Sequence, residues 1–162
     1  MALLAGCAGA PTYRVGVDSR MILPPLAPTH QVRTDQRFLM ASPIDAPVPV
    51  YPSEQAARVR PPVTVCLEAV VDVHGAVAST RALVVAGECA DTAGIAARPY
   101  LAAAARALRS WTFFAAAICT PRPGDSQCEA VDANLAPVAS RMAYRFTFHH
   151  ADGRPRVESR RR

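Results

Sequence analysis

Apolar and polar residues alternate along the stretch from Val63 to Val73, which is the clearest pattern in the chain. The odd-numbered positions are apolar, whereas the even-numbered positions include Thr64, Glu68 and Asp72. A period of two with many β-branched residues predicts a strand that buries one face. We expect its buried side chains to include Val65, Leu67 and Val71.

A tight turn is predicted directly after this strand. His74-Gly75 follows it, and glycine tolerates the positive φ of a two-residue hairpin loop. The chain is then expected to return as a second strand over 76–85. This register places Val71 opposite Ala78 and Leu67 opposite Ala82.

An alanine-rich helix is predicted next, over Tyr100–Arg109, with Pro99 in its first turn. Its apolar stripe contains Tyr100, Leu101, Ala104, Ala105 and Leu108. A further strand begins at Ser110 and places Trp111 and Phe113 on one face. Tryptophan in such a position is usually a core residue, so the predicted core includes Leu101, Leu108, Trp111 and Phe113.

The last alternating stretch runs from Ser140 to Phe148. Its apolar positions include Tyr144 and Phe146, which we assign to the core, and its other face carries Arg141, Ala143, Arg145 and Thr147. A short helix is also predicted over 53–58. The sequence therefore predicts an α+β fold in which three to four antiparallel strands carry one main helix on one face, in the order α-β-β-α-β.

The order of these elements resembles the C-terminal domain of the TonB family. The resemblance rests on Val71-Asp72-Val73-His74-Gly75-Ala76-Val77, on the alanine-rich helix and on Arg109-Ser110-Trp111-Thr112-Phe113, and it covers roughly 47–148. It implies that the last strand lies at a sheet edge that matters for partners. An extended peptide could add there as a strand, so the resemblance makes Arg141, Ala143, Arg145 and Thr147 the predicted partner-binding edge.

The amino-terminal region contains a second recognisable motif. Leu4-Ala5-Gly6-Cys7 fits the lipobox of bacterial lipoproteins, in which the cysteine becomes lipidated. A chance match in an alanine-rich chain is the alternative, since Met1-Ala2-Leu3 is too short for a signal peptide. We interpret residues 1–7 as the remnant of a signal peptide, shortened by cloning or by a misassigned start codon. Ala8 after the cysteine favours the outer membrane.

Proline is concentrated in the first part of the chain, where ten of the 15 prolines precede Val63. Proline favours extended backbone, so we predict a tether over 8–46 that reaches on the order of 100 Å, in which 36–40 could form a short added strand. The tethered domain is expected over 47–148. The rest of the chain, 149–162, is predicted to be a disordered basic tail.

The charge of the chain argues against a nucleic-acid partner. Its 18 basic residues are all arginines and its net charge is +5, but +3 of this belongs to the tail after Phe148. A nucleic-acid domain would normally place arginines on one face of a structured element. We therefore expect no nucleic acid as a ligand.

Four cysteines remain when Cys7 is set aside, and four cysteines allow three pairings. Cys119 and Cys128 flank a loop rich in turn residues, which makes their pairing sterically easy and leaves Cys66 with Cys89. Four reduced thiols in a cytoplasmic protein are the alternative. The lipobox and the loop spacing favour oxidation in a periplasm.

No residue pattern supports an enzyme, a metal site or a cofactor. The chain has no phosphate-binding glycine loop and no nucleophile elbow, and its histidines are His30, His74 and the pair His149-His150. The predicted function is therefore a periplasmic lipoprotein, anchored at the outer membrane through Cys7, that binds envelope proteins by strand addition. It lacks the inner-membrane helix of a TonB energy transducer. A structural, oligomeric subunit of an envelope-spanning machine is the alternative.

Overall fold

The computed structural model describes residues 14–22, 30–52, 62–122, 124, 128 and 133–151. The fold is α+β, with antiparallel strands and one main helix, as the alternation patterns predicted. The helix, α1, is Arg98–Ser110, and two 3-10 turns at Ala90–Ala93 and Ile95–Ala97 precede it. The described residues contain nine strands: β1 Arg14–Ile22, β2 Arg37–Leu39, β3 Ser42–Asp45, β4 Val63–Val71, β5 Val77–Ala82, β6 Thr112–Phe114, β7 Ala116–Thr120, β8 Asn134–Val138 and β9 Ser140–Ala151.

The main sheet has four strands in the order β1-β9-β4-β5, and every neighbouring pair is antiparallel. β4 and β9 pair along their full overlap, from Val63 opposite Phe148 to Val71 opposite Ser140. Residues that are directly opposite share a face of the sheet. The apolar sets of the two strands therefore coincide on one face, and this face forms the core beneath α1.

The core lies between this face and α1. Small side chains on the helix, which include Ala103 and Ala104, belong to the buried core and let the helix backbone approach the sheet. The predicted core residues Val65, Leu67, Val71, Leu108, Trp111, Phe113, Tyr144 and Phe146 are buried. Leu101 is the exception, because it is only partly buried at the margin of the core.

Aromatic rings fill the two ends of this layer. The ring of Trp111 meets Tyr144 edge-on at 4.9 Å between centroids, and Tyr100 meets Phe148 in the same way at 5.1 Å. The indole Nε1–H of Trp111 donates to the carbonyl oxygen of Pro47 at 3.0 Å. The bond satisfies the polar end of a buried ring and fixes the extended 47–50 segment beside the helix.

The predicted hairpin register is correct within the strands but wrong at the turn. Leu67 lies opposite Ala82 as expected, whereas Val71 lies opposite Val77 because of a bulge. The carboxylate of Asp72 accepts bonds from the N–H groups of His74 and Ala76, which stabilises a wider turn. Gly75 has a φ of +81°, and a Cβ there would overlap the carbonyl oxygen of Phe113.

Most of the described residues in the segment predicted as a tether lie in strands that pair with the domain. β1 joins the main sheet, β2 pairs with β7, and β3 pairs with β6. The short strand expected over 36–40 is present, but it joins the sheet β2-β7-β8. Backbone pairing of the described residues therefore reaches Arg14, which is inside the predicted tether 8–46 and outside the predicted domain 47–148.

The carboxyl-terminal boundary is also displaced. β9 continues to Ala151, so 149–151 belong to the sheet rather than to the predicted tail. The predicted helix over 53–58, the remainder of the tail and Cys7 lie outside the described residues.

The described residues contain two disulfide bonds: one is the pair that the loop spacing favoured, and the other is the pair that this choice left. Cys119–Cys128 joins residues nine positions apart, and Cys66–Cys89 joins residues 23 positions apart. Closing such loops stabilises a fold by on the order of 3 kcal/mol each in the chain-entropy model. Cys66–Cys89 lies on the face of the sheet away from α1, in a small cluster with Leu83 and Ala143.

Candidate partner-binding edge

The predicted binding edge, β9, is an interior strand of the main sheet. β1 pairs with it from Arg14 opposite Ala151 to Ile22 opposite Ala143, while β4 pairs with its other side. Its backbone is therefore paired on both sides from Ala143 to Phe148. The family resemblance implied that one side of this strand would have unpaired N–H and C=O groups. In this fold an extended segment of the same chain, β1, pairs with that side.

The four side chains assigned to that edge have other contacts. Arg141 donates to the carboxylate of Glu68 at 3.1 Å, and the hydroxyl of Thr147 lies 3.4 Å from that of Thr64. Ala143 is buried in the cluster around Cys66–Cys89, and Arg145 lies opposite Cys66. All four lie on the sheet face that α1 does not cover.

β1 itself buries little side-chain surface. Val17 packs against the main core and Ile22 against the cluster around Cys66–Cys89, but Asp18, Ser19 and Arg20 are exposed. Its surface contacts are an Asp18–His149 approach of 3.6 Å and an Arg20–Glu88 pair at 3.5 Å. Exposed pairs of this kind contribute about 0–1 kcal/mol. Backbone hydrogen bonds along the ladder therefore provide much of what holds β1 in place.

The opposite border of the sheet is β5, and most of its length is open. The N–H of Leu83 donates to the carbonyl of Cys66 at 2.9 Å, which identifies a hydrogen-bonded pair. Because such pairs alternate along an antiparallel ladder, the N–H groups of Thr80 and Ala82 point outward. No strand of the described residues pairs with this outward side of β5.

Both ends of this open border are closed by the chain. At one end Ala76 bridges to Thr112, and the N–H of Phe113 donates to the carbonyl of Gly75. At the other end side chains of the first 3-10 turn replace a strand beside β4. Asp91 accepts from the N–H of Thr64 at 2.8 Å, and Thr92 accepts from that of Cys66 at 2.9 Å. The open edge is thus confined to β5.

A groove of about 260 Å3 runs between β5 and α1. The side chains of Thr80 and Ala82 point toward the helix, because they lie opposite Ala69 and Leu67 of the core face. Small or apolar side chains form most of the floor of the groove, and an arginine lies toward each end of its helical wall. The floor contains Leu67, Thr80, Ala82, Leu101, Ala102 and Ala105, and the two arginines are Arg98 and Arg109.

The charge of the groove comes from the helix. α1 contains no acidic residue, and neither Arg98 nor Arg109 has an ion pair within the described part of the chain. Arg81 also borders the groove, but its guanidinium turns to the other face of the sheet and binds Glu68. The groove therefore presents two unneutralised guanidinium groups.

Glu68 ties the edge strand to the sheet. Its side chain is 3% exposed and accepts two bonds from Arg81, at 2.8 and 3.0 Å, and one from Arg141. The bidentate bond from Arg81, supported by Arg141, holds the pKa of Glu68 below its usual value. This cluster joins β5, β4 and β9 on the face away from α1, so the open edge is held rigidly.

The surroundings of the titratable groups outside this cluster indicate structural roles. Burial raises the pKa of Tyr144 to about 12. His30 bonds to the carbonyl of Ala139 at 3.0 Å and stacks on Phe38, and His74 lies in the turn. Within the described ranges, no three histidine, cysteine or acidic side chains are grouped so that they could hold a metal ion.

The part of the chain that the structure describes contains no helix of the length and apolarity needed to cross a bilayer. Comparisons of the chain with protein-family models, with curated proteins and with solved structures find no match. Function must therefore be inferred from two features of the fold, the open edge of β5 and the basic groove beside it. Sequence reasoning missed both.

Proposed function

We propose that this protein binds partner proteins in the bacterial envelope by taking an extended segment of the partner as an added strand. One observation carries the proposal. The main sheet already contains a strand of this kind. β1 pairs with β9 over nine residue pairs, and most of the described side chains of β1 stay exposed. A sheet that holds a strand chiefly through its backbone is suited to hold another.

The outer edge of β5 is the place where we expect the partner strand. Its outward N–H groups at Thr80 and Ala82 are unpaired by any described strand, and the bond between Arg81 and Glu68 links β5 to β4. Strand addition at β9 would require the departure of β1, whereas addition at β5 requires no rearrangement of the described residues. Affinity would come from the backbone and selectivity from the groove.

The Thr80→Pro variant tests strand addition. Proline removes an outward N–H without removing a ladder bond to β4, so the fold should persist while peptide binding falls by about tenfold or more. The probes are random twelve-residue peptides selected by display on the wild-type protein. Amide hydrogen exchange should show protection of Thr80 and Ala82 when a selected peptide is bound.

The matched control is Thr80→Ala, which keeps the N–H and should bind as the wild type does. Thermal melting of both variants checks that the fold is intact. Selected peptides that protect amides elsewhere, or that bind Thr80→Pro normally, would refute addition at β5.

We also propose that Cys7 carries a lipid anchor that holds the protein at the periplasmic side of the outer membrane. The support is the Leu4-Ala5-Gly6-Cys7 motif, together with the disulfides Cys66–Cys89 and Cys119–Cys128, since such bonds persist in oxidising compartments. The proposal assigns the protein no catalytic activity, cofactor or nucleic-acid ligand.

Labelling with a fatty-acid probe tests the anchor. The full-length gene product should incorporate the probe in cells, and Cys7→Ala should abolish the label because the acylated thiol is gone. Cys119→Ser is the control, since its thiol is expected to pair with Cys128 and not to be acylated. Equal labelling of the wild type and Cys7→Ala would refute the anchor.

A structural subunit of an envelope-spanning assembly is the second candidate, and β1 is the observation that favours it. A strand that is held mainly by backbone pairing can be exchanged between identical copies, which would build a dimer or a longer assembly. The mass in solution separates the two candidates, since strand addition by a partner leaves the isolated protein monomeric.

A further inference from the structure

We infer that the groove between β5 and α1 selects partner segments in which an apolar residue is flanked by two acidic residues, in the pattern acid-x-apolar-x-acid. The inference rests on the proposed strand addition and adds the chemical class of the peptide. Each element of the pattern corresponds to one feature of the groove.

The apolar residue corresponds to the floor. Leu101, Ala102 and Ala105 of α1 face Thr80 and Ala82 of β5 across about 260 Å3. An apolar cavity of about 150 Å3 holds a benzene molecule, so the groove has room for one aliphatic side chain together with nearby peptide backbone. Burying such a side chain also covers Leu101, which the core leaves partly exposed.

The acidic residues correspond to the ends. Arg98 and Arg109 are eleven positions apart, which is about 16 Å along the axis of an α-helix. Side chains on one face of a strand recur every second residue, so positions i and i+4 are about 13 Å apart. Long arginine side chains cover the remaining difference, and their planar ends bind carboxylates in a bidentate manner.

The alternation of side chains along a strand explains how one peptide can meet both the apolar floor and the two arginines. A peptide that lies along β5 directs residues i, i+2 and i+4 into the groove and residues i+1 and i+3 toward the other face. The middle residue then meets the floor, and the outer two meet the arginines. A basic peptide would face Arg98 and Arg109 with no acid on α1 to offset them.

The experiment uses a fluorescently labelled peptide, acetyl-Thr-Glu-Thr-Leu-Thr-Glu-Thr-amide, and measures binding by fluorescence anisotropy at about 0.15 M salt, where the Debye length is about 8 Å. Its twin has glutamine in place of both glutamates. We expect the glutamate peptide to bind, and Arg98→Gln and Arg109→Gln each to weaken binding by about tenfold, as loss of a charge-assisted hydrogen bond predicts. The glutamine twin should bind at least as weakly as either variant.

Arg106→Gln is the matched control, because Arg106 is an exposed arginine of the same helix that does not line this groove. It should leave the affinity within about twofold, since a distant surface charge is screened. A loss equal to that of Arg98→Gln would mean a general attraction of opposite charges and would overturn the inference. Circular-dichroism melting shows that each variant is folded.

The outcomes separate this inference from the proposed function. Equal binding of both peptides that is lost in Thr80→Pro would overturn the acidic selectivity and leave strand addition supported. Binding that depends on Arg98 and Arg109 but survives in Thr80→Pro would support the groove and refute addition to β5. Failure of the glutamate peptide to bind would overturn the inference, while the display-selected peptides still decide the proposed function.

Discussion

Replacing Trp111 with alanine is expected to lower the free energy of unfolding by about 3–5 kcal/mol. The side chain is 3% exposed and contacts the rings of Phe113, Tyr144 and Phe146. Its loss would leave a cavity between α1 and the sheet and would also leave the carbonyl of Pro47 without its donor. Urea denaturation monitored by circular dichroism measures the change.

Phe114→Ala is the control for this prediction. Phe114 lies on the same short strand but on its other face, where it is 66% exposed. Its truncation removes little buried area and should change the stability by less than about 0.5 kcal/mol. An unchanged midpoint for Trp111→Ala would mean that the indole does not fill the core.

Replacing Glu68 with glutamine is expected to lower the free energy of unfolding by about 2–3 kcal/mol at neutral pH, which is below the usual range for breaking a buried ion pair. The reduction follows from Arg81 and Arg141, whose side chains are 63% and 44% exposed and can regain water. The cost should also depend on pH, because the bonds from Arg81 and Arg141 lower the pKa of Glu68 in the folded protein.

The sign of the pH dependence follows from that lowered pKa. The carboxylate stabilises the fold fully above the pKa of an unfolded glutamate, about 4.3, and the contribution is lost as the pH falls through the lower folded value. The stability difference between the wild type and Glu68→Gln should therefore be largest near pH 7 and shrink at acidic pH. Urea titrations across this range measure it.

Glu88→Gln is the matched control, because Glu88 forms an exposed pair with Arg20. It should change the stability by no more than about 1 kcal/mol at any pH in the range. A difference for Glu68→Gln that is constant with pH would show that the ionised carboxylate is not the source of the stabilisation.

Local alternation was enough to predict the centre of the sheet. The period of two over 63–73 identified β4, and the distance to the turn identified the partner of Leu67 in β5. The bulge at Val71 was missed because it depends on how Asp72 bonds to the turn, which the alternation does not encode. The short loop between Cys119 and Cys128 predicted the first disulfide correctly, and the second followed as the remaining pair.

The border of the sheet could not be predicted in the same way. β1 pairs with a strand more than 120 positions away, and its sequence alternates only through Val15, Val17 and the residues around them. A strand with so short an alternating pattern is difficult to recognise, because its pairing is carried mainly by the backbone. The assignment of Ala143, Arg145 and Thr147 to an edge failed for this reason.

The candidate groove depends on the rotation of one helix. The predicted stripe included Leu101, whereas the packed helix turns Ala103 and Ala107 inward and leaves Leu101 at the margin. In the sequence, Arg98 and Arg109 look like ordinary solvated charges at the ends of an alanine-rich helix. Their common row with Leu101, Ala102 and Ala105 beside an open strand is visible only in the assembled fold.

The pairing of β1 also sets how far the protein could stand from a membrane. A free linker over 8–46 would have let the domain sample on the order of 100 Å of the periplasm. With Arg14 fixed at the start of the sheet, the seven backbone steps between Cys7 and Arg14 extend over at most about 25 Å. A protein acylated at Cys7 would therefore be confined to a thin layer at the bilayer surface, where only partners that reach down to the membrane could meet it.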